Sequence, residues 1–290
     1  MPRITRARAA TALVSIASVA VLLTGCAGAA APASTVASDC TPKHAGLKTF
    51  TAGTLTVGVP ENVPYTQTKG TDASGLEIDV VRKLADAECL ALAFVPITYA
   101  NGIPMISEQH KTDMITGGWY VTAARAEKVG FTSPTFYDSM GIISKDGIDT
   151  VTALQSVGNV GSGAGFSWEG DMSGILGDKF KTYPGTAEMK QDLLNGRIQA
   201  ALDGYAVATV AYKDTGFQVK PAKEDDRVAI TTSQPMIAFP IDKDNKALSD
   251  AFSELIDGFR ADGTLAKLNA SYDLPDSLIV PADKAAGSIR

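Results

Sequence analysis

Polar and apolar positions alternate over residues 54–59, Thr-Leu-Thr-Val-Gly-Val, a period of two that predicts a half-buried strand. The period changes to 3.6 over 75–88, where Ile78, Val81, Leu84 and Ala85 fall on one face of a helix. A strand follows at 91–97, a helical turn at 103–106 and a third strand at 114–116. After a strand at 140–144 the pattern starts again. It runs through strand 157–160, a glycine-rich loop, a helical patch, strand 180–183, helix 186–195 stopped by Gly196, strand 198–202 and helix 205–212. A strand at 235–240 and an amphipathic helix at 248–260, ended near Gly263, complete it. Strands alternating with helices build an α/β architecture with a largely parallel sheet. A pattern that restarts in mid-chain predicts two similar lobes with a ligand between them.

One stretch stands apart from this periodicity: residues 113–134, which pass from a short apolar strand through Gly117, Gly118, Trp119 and Tyr120 to Thr122-Ala-Ala-Arg125. Thr before Ala-Ala reads as a helix N-cap, which puts Arg125 in the first helical turn, where the helix dipole disfavours a cation. An anion beside Arg125 relieves that conflict and also satisfies the free amides of the helix start. Gly117 and Gly118 let a ligand approach the backbone closely. The local expectation is a small anion, most simply a carboxylate, in the Arg125 fork. The alternative is an exposed arginine on a surface helix.

Composition narrows the partners. Arg3, Arg6 and Arg8 precede an apolar run at 9–23, shorter than the ~20 residues that span a bilayer and shaped like a secretory signal peptide. It ends Leu23-Thr-Gly-Cys26, which resembles the lipobox of bacterial lipoproteins. That resemblance implies cleavage before Cys26, lipidation of its sulfur and a chain anchored to the outer face of the cell membrane. Residues 27–38, rich in Ala, Ser and Pro, read as a flexible tether. Without residues 1–25 the chain carries 23 basic and 32 acidic residues, a net charge of −9 with no Lys/Arg cluster, which argues against nucleic acid. Cys40 and Cys89 are the thiols left after Cys26; in an exported chain they read as one disulfide, the alternative being two buried thiols. His44 and His110 sit in no metal-like spacing, and no metal or cofactor is expected. Gly161-Ser-Gly-Ala-Gly165 has Phe166 where a dinucleotide loop needs its third glycine. Asp242-Lys-Asp-Asn245 lacks the glycine and closing Glu of a calcium loop.

Seven short motifs in order resemble the amino-acid-type (family 3) extracellular solute-binding proteins of ABC importers. They are 55–59, Pro64-Tyr65, Gly75-Leu-Glu-Ile-Asp79, Asn101-Gly-Ile-Pro104, the block Asp113/Thr122/Arg125 leading to Phe131-Thr-Ser-Pro134, Gly161-Ser162, and 194–200. The resemblance covers about 54–272 and implies the two-lobed type II periplasmic-binding-protein-like fold, each lobe a mixed, mainly parallel sheet flanked by helices. Residues 50–140 plus 235–276 would form lobe 1, 141–234 lobe 2, 26–49 a lipidated tether and 277–290 a C-terminal extension.

In such proteins the residue matching Arg125 grips the ligand carboxylate with the amides of Gly118 and Tyr120. The amides around Ser162 and Gly163 close from the other lobe. The family's amine-binding Asp falls at Gly204, with an acid one residue earlier at Asp203. The loop aromatic falls at Asn62, and Gly102 replaces an arginine used by some binders of acidic amino acids, so plain Glu or Asp is not favoured. Trp119, Tyr120, Tyr65, Phe136, Trp168 and Tyr205 are available as walls suited to a ring or an alkylammonium, or else as core. The implied function is a monomeric, lipid-anchored, non-enzymatic receptor that delivers a small carboxylate-bearing solute to an ABC permease. A cyclohexadienyl-dehydratase-like enzyme, with Glu61, Asp203 or Glu169 as its acid, and a binding protein feeding a sensor are the alternatives.

Overall fold

The computed structural model describes residues 36–288; the expected signal segment and the lipidation site Cys26 lie outside the described residues. The alternating stretch forms the strand Thr54–Val59, buried from Leu55 onward on both faces because it lies inside a parallel pairing. It pairs in parallel with Ala91–Pro96 on one side and Met114–Ile115 on the other. Pro240–Ile241 then joins antiparallel, and Gly130–Phe131 forms the far edge. The helix Leu76–Ala87 packs Leu76, Ile78, Val80, Val81, Leu84 and Ala85 into this lobe's core.

The second sheet repeats the plan in the order Phe180–Tyr183, Val160–Gly163, Ala200–Gly204, Met140–Ser144, Gln218–Pro221. Its first three strands are mutually parallel, and Met140–Ser144 is antiparallel to both its neighbours. Each five-stranded sheet is therefore mixed, with two parallel and two antiparallel pairings. The two sheets are joined through a short antiparallel pair, Phe136–Tyr137 with Met236–Ile237. Parallel strands deliver their C-terminal ends to one edge of a sheet, the place where open α/β sheets hold ligands. Here those ends are Val59, Ile115, Gly163 and Gly204.

Several expected elements move. The expected strand 157–160 forms instead at Val160–Gly163, because Gly158 and Asn159 are taken up in a turn against Gln199. The turn at 103–106 belongs to a longer helix, Tyr99–Ser107, opened by a capping box between Thr98 and Asn101. The run 235–240 splits into Met236–Ile237 and Pro240–Ile241, serving first the crossover and then the first sheet. A further helix, Thr264–Ser271, follows Gly263.

Both expected terminal appendages are packed where they are described. Cys40 is bonded to Cys89, with Cα atoms 5.8 Å apart. The Lys43 N–H donates to Ala87 O (3.0 Å), and the His44 ring lies between Glu88 (2.6 Å) and Glu254 (3.2 Å). Residues 40–44 are thus held against lobe 1 rather than forming part of a tether. At the other end Val280 is fully buried, its N–H donates to Thr135 O (3.1 Å), and Ile279 bridges Phe136. The expected polar extension is a strap along the crossover strand, because Leu278-Ile279-Val280 is apolar and finds the edge that strand leaves open.

Candidate functional site

The strand Met114–Ile115 ends in a turn that only glycine permits, with φ of +112° at Gly117 and +74° at Gly118. A Cβ at 117 would lie 2.3 Å from Pro60 Cγ. The amides of this turn are held by a buried carboxylate: Gly117 N–H donates to Glu77 Oε2 (2.6 Å), and Gly118 N–H reaches both Glu77 oxygens (3.1 Å). Burial pushes Glu77 up to about 7, against the pull of these two N–H groups. The expected role of the Gly118 amide therefore needs correction. Its donor is already used by Glu77, although the residue still lines the cavity.

Beyond the turn, Val121 N–H donates to Met236 O and Ala238 N–H to Trp119 O. That pairing turns the Tyr120 carbonyl and amide away from the crossover, toward Arg125. Thr122 caps the short helix Ala123–Ala126 through Oγ1 and the Arg125 N–H (3.3 Å). The Arg125 guanidinium lies over the Trp119 ring, 4.7 Å from its centroid. Its Nη1 donates to Tyr120 O (3.0 Å) and its Nη2 to Gly165 O (3.2 Å), a carbonyl of the second lobe. No Asp or Glu among the described residues pairs with it. Loss of solvent lowers it to about 10, so it stays charged at neutral pH.

Between the lobes lies a small cavity of about 30 Å³, lined by Asn62, Tyr99, Gly118, Tyr120, Arg125, Asp138, Phe166, Ser167, Trp168, Asp203 and Gly204. Of the nine residues expected from the sequence, Asn62, Gly118, Tyr120, Arg125 and Asp203 line this cavity. The other four expected residues stand one layer behind. Trp119 is the platform under Arg125, and Tyr65 packs below Gly118, its ring 3.2 Å from where a Cβ would stand. Ser162 Oγ accepts the Trp168 indole N–H (2.9 Å), and the Phe166 ring covers Gly163 so closely that a Cβ there would be 2.6 Å away. Ser162 and Gly163 therefore hold aromatic rings and do not face the cavity. Tyr99, Phe166 and Trp168 form a connected wall, with ring centroids 4.9 and 5.2 Å apart.

The acid pair departs most from expectation. Asp203 is 1% exposed and Asp138 5%. Asp203 Oδ1 accepts its neighbour's Gly204 N–H (2.8 Å), while Oδ2 is buried without a hydrogen-bond partner. Burial drives Asp203 up to about 8, with the Asp138 charge adding to the shift. Burial also raises Asp138, to about 6, against hydrogen bonds from the N–H groups of Ser139, Ala206 and Tyr205 and from the Tyr120 hydroxyl. Asn62 donates Nδ2–H to Gly117 O (2.9 Å) and leaves its Oδ1 buried and unpaired. Sequence reasoning passed over Asp138, Tyr99, Phe166 and Ser167. The signal available for Asp138 was an acid directly after the aromatic pair Phe136–Tyr137. Among the described residues no group of three or more His, Cys, Asp or Glu could hold a metal, and no helix is long and apolar enough to cross a membrane.

Comparison with known proteins identifies the family and the fold. A Bacillus subtilis (strain 168) protein, "Probable amino-acid-binding protein YxeM", is 26% identical over 219 residues, 73% of this chain and 80% of that protein. Among solved structures, a mutant of ArgBP from T. maritima superposes with a TM-score of 0.68 at 19% identity, covering 76% of this chain and 95% of that one. The arginine-, lysine-, histidine-binding protein ArtJ from Geobacillus stearothermophilus gives 0.68 at 16%, covering 80% and 99%. These two likenesses show the fold, a two-lobed periplasmic binding protein. Residues 55–274 match the family model for bacterial extracellular solute-binding proteins, family 3, and the chain belongs to that family.

Proposed function

We propose that this chain is the extracellular, lipid-anchored receptor of an ABC importer, and that it captures an amino acid or amino-acid-like solute with its carboxylate on Arg125. The observation that carries this reading is the Arg125 guanidinium. It is half-buried, it meets no carboxylate among the described residues, and it is aimed at an interlobe cavity by carbonyls from both lobes. A cation drawn partly out of water without a counter-ion is costly unless a partner arrives. Tyr120 and the helix start capped by Thr122 supply further N–H donors beside it. Proteins of this family bind small-molecule solutes and work with ABC transporters, which supports delivery to a permease. Closure would turn on the paired crossover strands, the hinge joining a first lobe of 50–140 plus 235–276 to a second of 141–234. The Cys26 anchor rests on the sequence motif alone.

Calorimetry against the standard amino acids and a set of aromatic acids, with wild type and Arg125→Ala, tests the assignment. We expect the variant to lose 100-fold or more in affinity, since removing one partner of a buried pair costs about 3–5 kcal/mol. Undiminished binding would remove the carboxylate role. One observation favours the dehydratase-like alternative: Asp203 is an acid kept protonated in the cavity. Glu61 and Glu169 are already engaged, by Thr68 and by the Gly165 N–H. Turnover of prephenate or arogenate by the purified protein would decide for that reading.

A further inference from the structure

Residues 40–44 lie against the last turn of the helix Leu76–Ala87 and fill what that helix end leaves open. The Lys43 N–H donates to Ala87 O (3.0 Å), a carbonyl the helix cannot pair for itself. Cys40 is bonded to Cys89, two residues beyond that carbonyl. Between them the side chain of Glu88 is fully buried, and His44 takes both of its oxygens. The His44 backbone N–H donates to Oε2 (2.9 Å), and ring Nδ1 lies 2.6 Å from Oε1. The other ring nitrogen, Nε2, lies 3.2 Å from Glu254 Oε2, on the helix Lys246–Ala261. Lys43 Nζ holds the second Glu254 oxygen at 3.0 Å.

We propose that this segment is a proton-fastened clasp: imidazolium His44 locks the chain start to lobe 1, and loss of its proton loosens the lock while the Cys40–Cys89 bond retains the segment. The geometry carries this. Both ring nitrogens face carboxylate oxygens, which only accept. A neutral imidazole has one N–H, so its other nitrogen would turn a lone pair toward a carboxylate. Only the doubly protonated ring donates to both.

The charges give the same answer. No lysine or arginine among the described residues pairs with Glu88, so the His44 proton is what compensates that buried carboxylate. A cation here also faces the negative end of the helix Leu76–Ala87. The charged groups around the ring are Glu88 from that helix end, Glu254 from the helix Lys246–Ala261 and Lys43 from its own segment. Hydrogen bonds to Glu88 and then Glu254 raise His44 above the 6.5 of a free histidine. The clasp is therefore fast below pH 6.5 and loosens as pH rises through the folded value.

The test is nuclear magnetic resonance on the purified protein. His110 is the chain's other histidine, and His110→Gln leaves the His44 ring as the one to follow. We expect that ring to titrate above 6.5. Hydrogen exchange at the Lys43 and His44 amides, corrected for the intrinsic rate, should show protection about tenfold or more greater at pH 6 than at pH 9. Amides of the strand Val160–Gly163 are the reference for global opening. Two variants separate the clasp from simple packing. His44→Lys, a cation throughout this range, should hold the protection to pH 9. Glu254→Gln offers Nε2 an N–H donor, so it should lower the ring's pKa yet leave more protection at pH 9 than in wild type. Melting temperatures identify a variant that fails to fold, and the titration and exchange of the His110→Gln protein then carry the test. A ring that titrates at or below 6.5, or protection equal at pH 6 and pH 9 relative to the reference strand, overturns the proposal. So does a folded His44→Lys variant that loses its protection at pH 9 as wild type does.

Discussion

The Arg125 guanidinium donates to the carbonyl of Gly165 at 3.2 Å, a bond that crosses from one lobe to the other beside the cavity. Gly165 has φ +82°, and a Cβ there would lie 2.7 Å from Tyr99 C and Ala100 N. Those neighbours are backbone at the start of a capped helix and cannot turn aside as a side chain would. Gly165→Ala should therefore hold the lobes apart. We expect solute affinity to fall by about tenfold or more, with stability reduced by only ~1 kcal/mol from the left-handed backbone. Calorimetry reads the first effect and urea denaturation the second. Small-angle scattering with solute present should show the variant more open than wild type.

The acid pair makes stability depend on pH in a direction opposite to ordinary acid denaturation. Asp203 is raised to about 8 and Asp138 to about 6, both above the range of an unfolded carboxyl. The folded, unliganded protein thus binds protons more tightly than the unfolded chain. The stability this contributes is fully present below about pH 4 and is lost as pH rises through the folded values. The groups facing the pair are Tyr65, Tyr99, Tyr120 and Tyr212, all raised and neutral here, and Arg125, charged throughout. Depressed acids such as Asp192 and Asp225 act with opposite sign and in a lower window, near their unfolded values. Urea denaturation without solute should show stability declining between pH 5 and 8, and Asp203→Asn should flatten that decline. With an amino acid bound at pH 7, wild type should release about one proton. This is measurable as a difference in binding heat between phosphate and Tris buffers, and the variant should release less. A wild-type profile that rises across this window would contradict the assignment.

Arg125 is legible in the sequence because a threonine cap three residues earlier fixes its place in a helical turn; the dipole conflict expected there does not arise, since the helix is the single turn Ala123–Ala126 and Arg125 stands equally in its last turn. Asp138 is not legible in the same way. It belongs to a crossover segment with no period of its own, and its meaning comes from Gly204, 66 positions away and adjacent only in the fold. The loop 161–168 misleads for a related reason. Its glycines resemble an anion-binding backbone, yet Gly163 is needed to seat the Phe166 ring and Gly165 to let the lobes meet. Period and turn chemistry locate both sheets, while the far side of the cavity is tertiary.

Glu77 supports the site without lining the cavity. Its carboxylate fixes the Gly117–Gly118 turn, and that turn carries Trp119 and Tyr120 to Arg125. Glu77→Gln keeps the shape, and its amide oxygen at the Oε2 position can still accept both N–H groups, but the NH₂ that replaces Oε1 faces the Gly118 N–H and is a buried donor without an acceptor. A stability loss of about 1–3 kcal/mol follows from a buried donor without an acceptor. Because burial raises Glu77 to about 7, its contribution in wild type is greatest below the unfolded value of 4.5 and fades as pH passes 7. Denaturation should therefore show a larger difference between variant and wild type at pH 5 than at pH 8. Solute affinity should fall in parallel, since the turn sets the Arg125 platform.

Arg260 ties the C-terminal strap to the crossover strand, and the loss of that tie should be felt at the hinge. Its Nε donates to Val280 O (2.7 Å), Nη2 to Pro134 O and Nη1 to Asp257, with the side chain only 8% exposed. Val280 N–H in turn donates to Thr135 O, so Phe136–Tyr137 lies between Met236–Ile237 on one edge and Ile279 on the other. Arg260→Ala leaves two backbone carbonyls without this donor and the strap without its anchor. Asp257 is 45% exposed and regains water, which places the expected loss at about 2–3 kcal/mol, below that of a fully buried pair. Hydrogen exchange should localise the effect: faster exchange at Val280 and along 134–137, with the second sheet unchanged. Since the strap stands against the strand that must bend when the lobes part, its release should also speed solute dissociation in stopped-flow. Unchanged exchange at Val280 in the variant would mean that the strap is held by its apolar side chains alone.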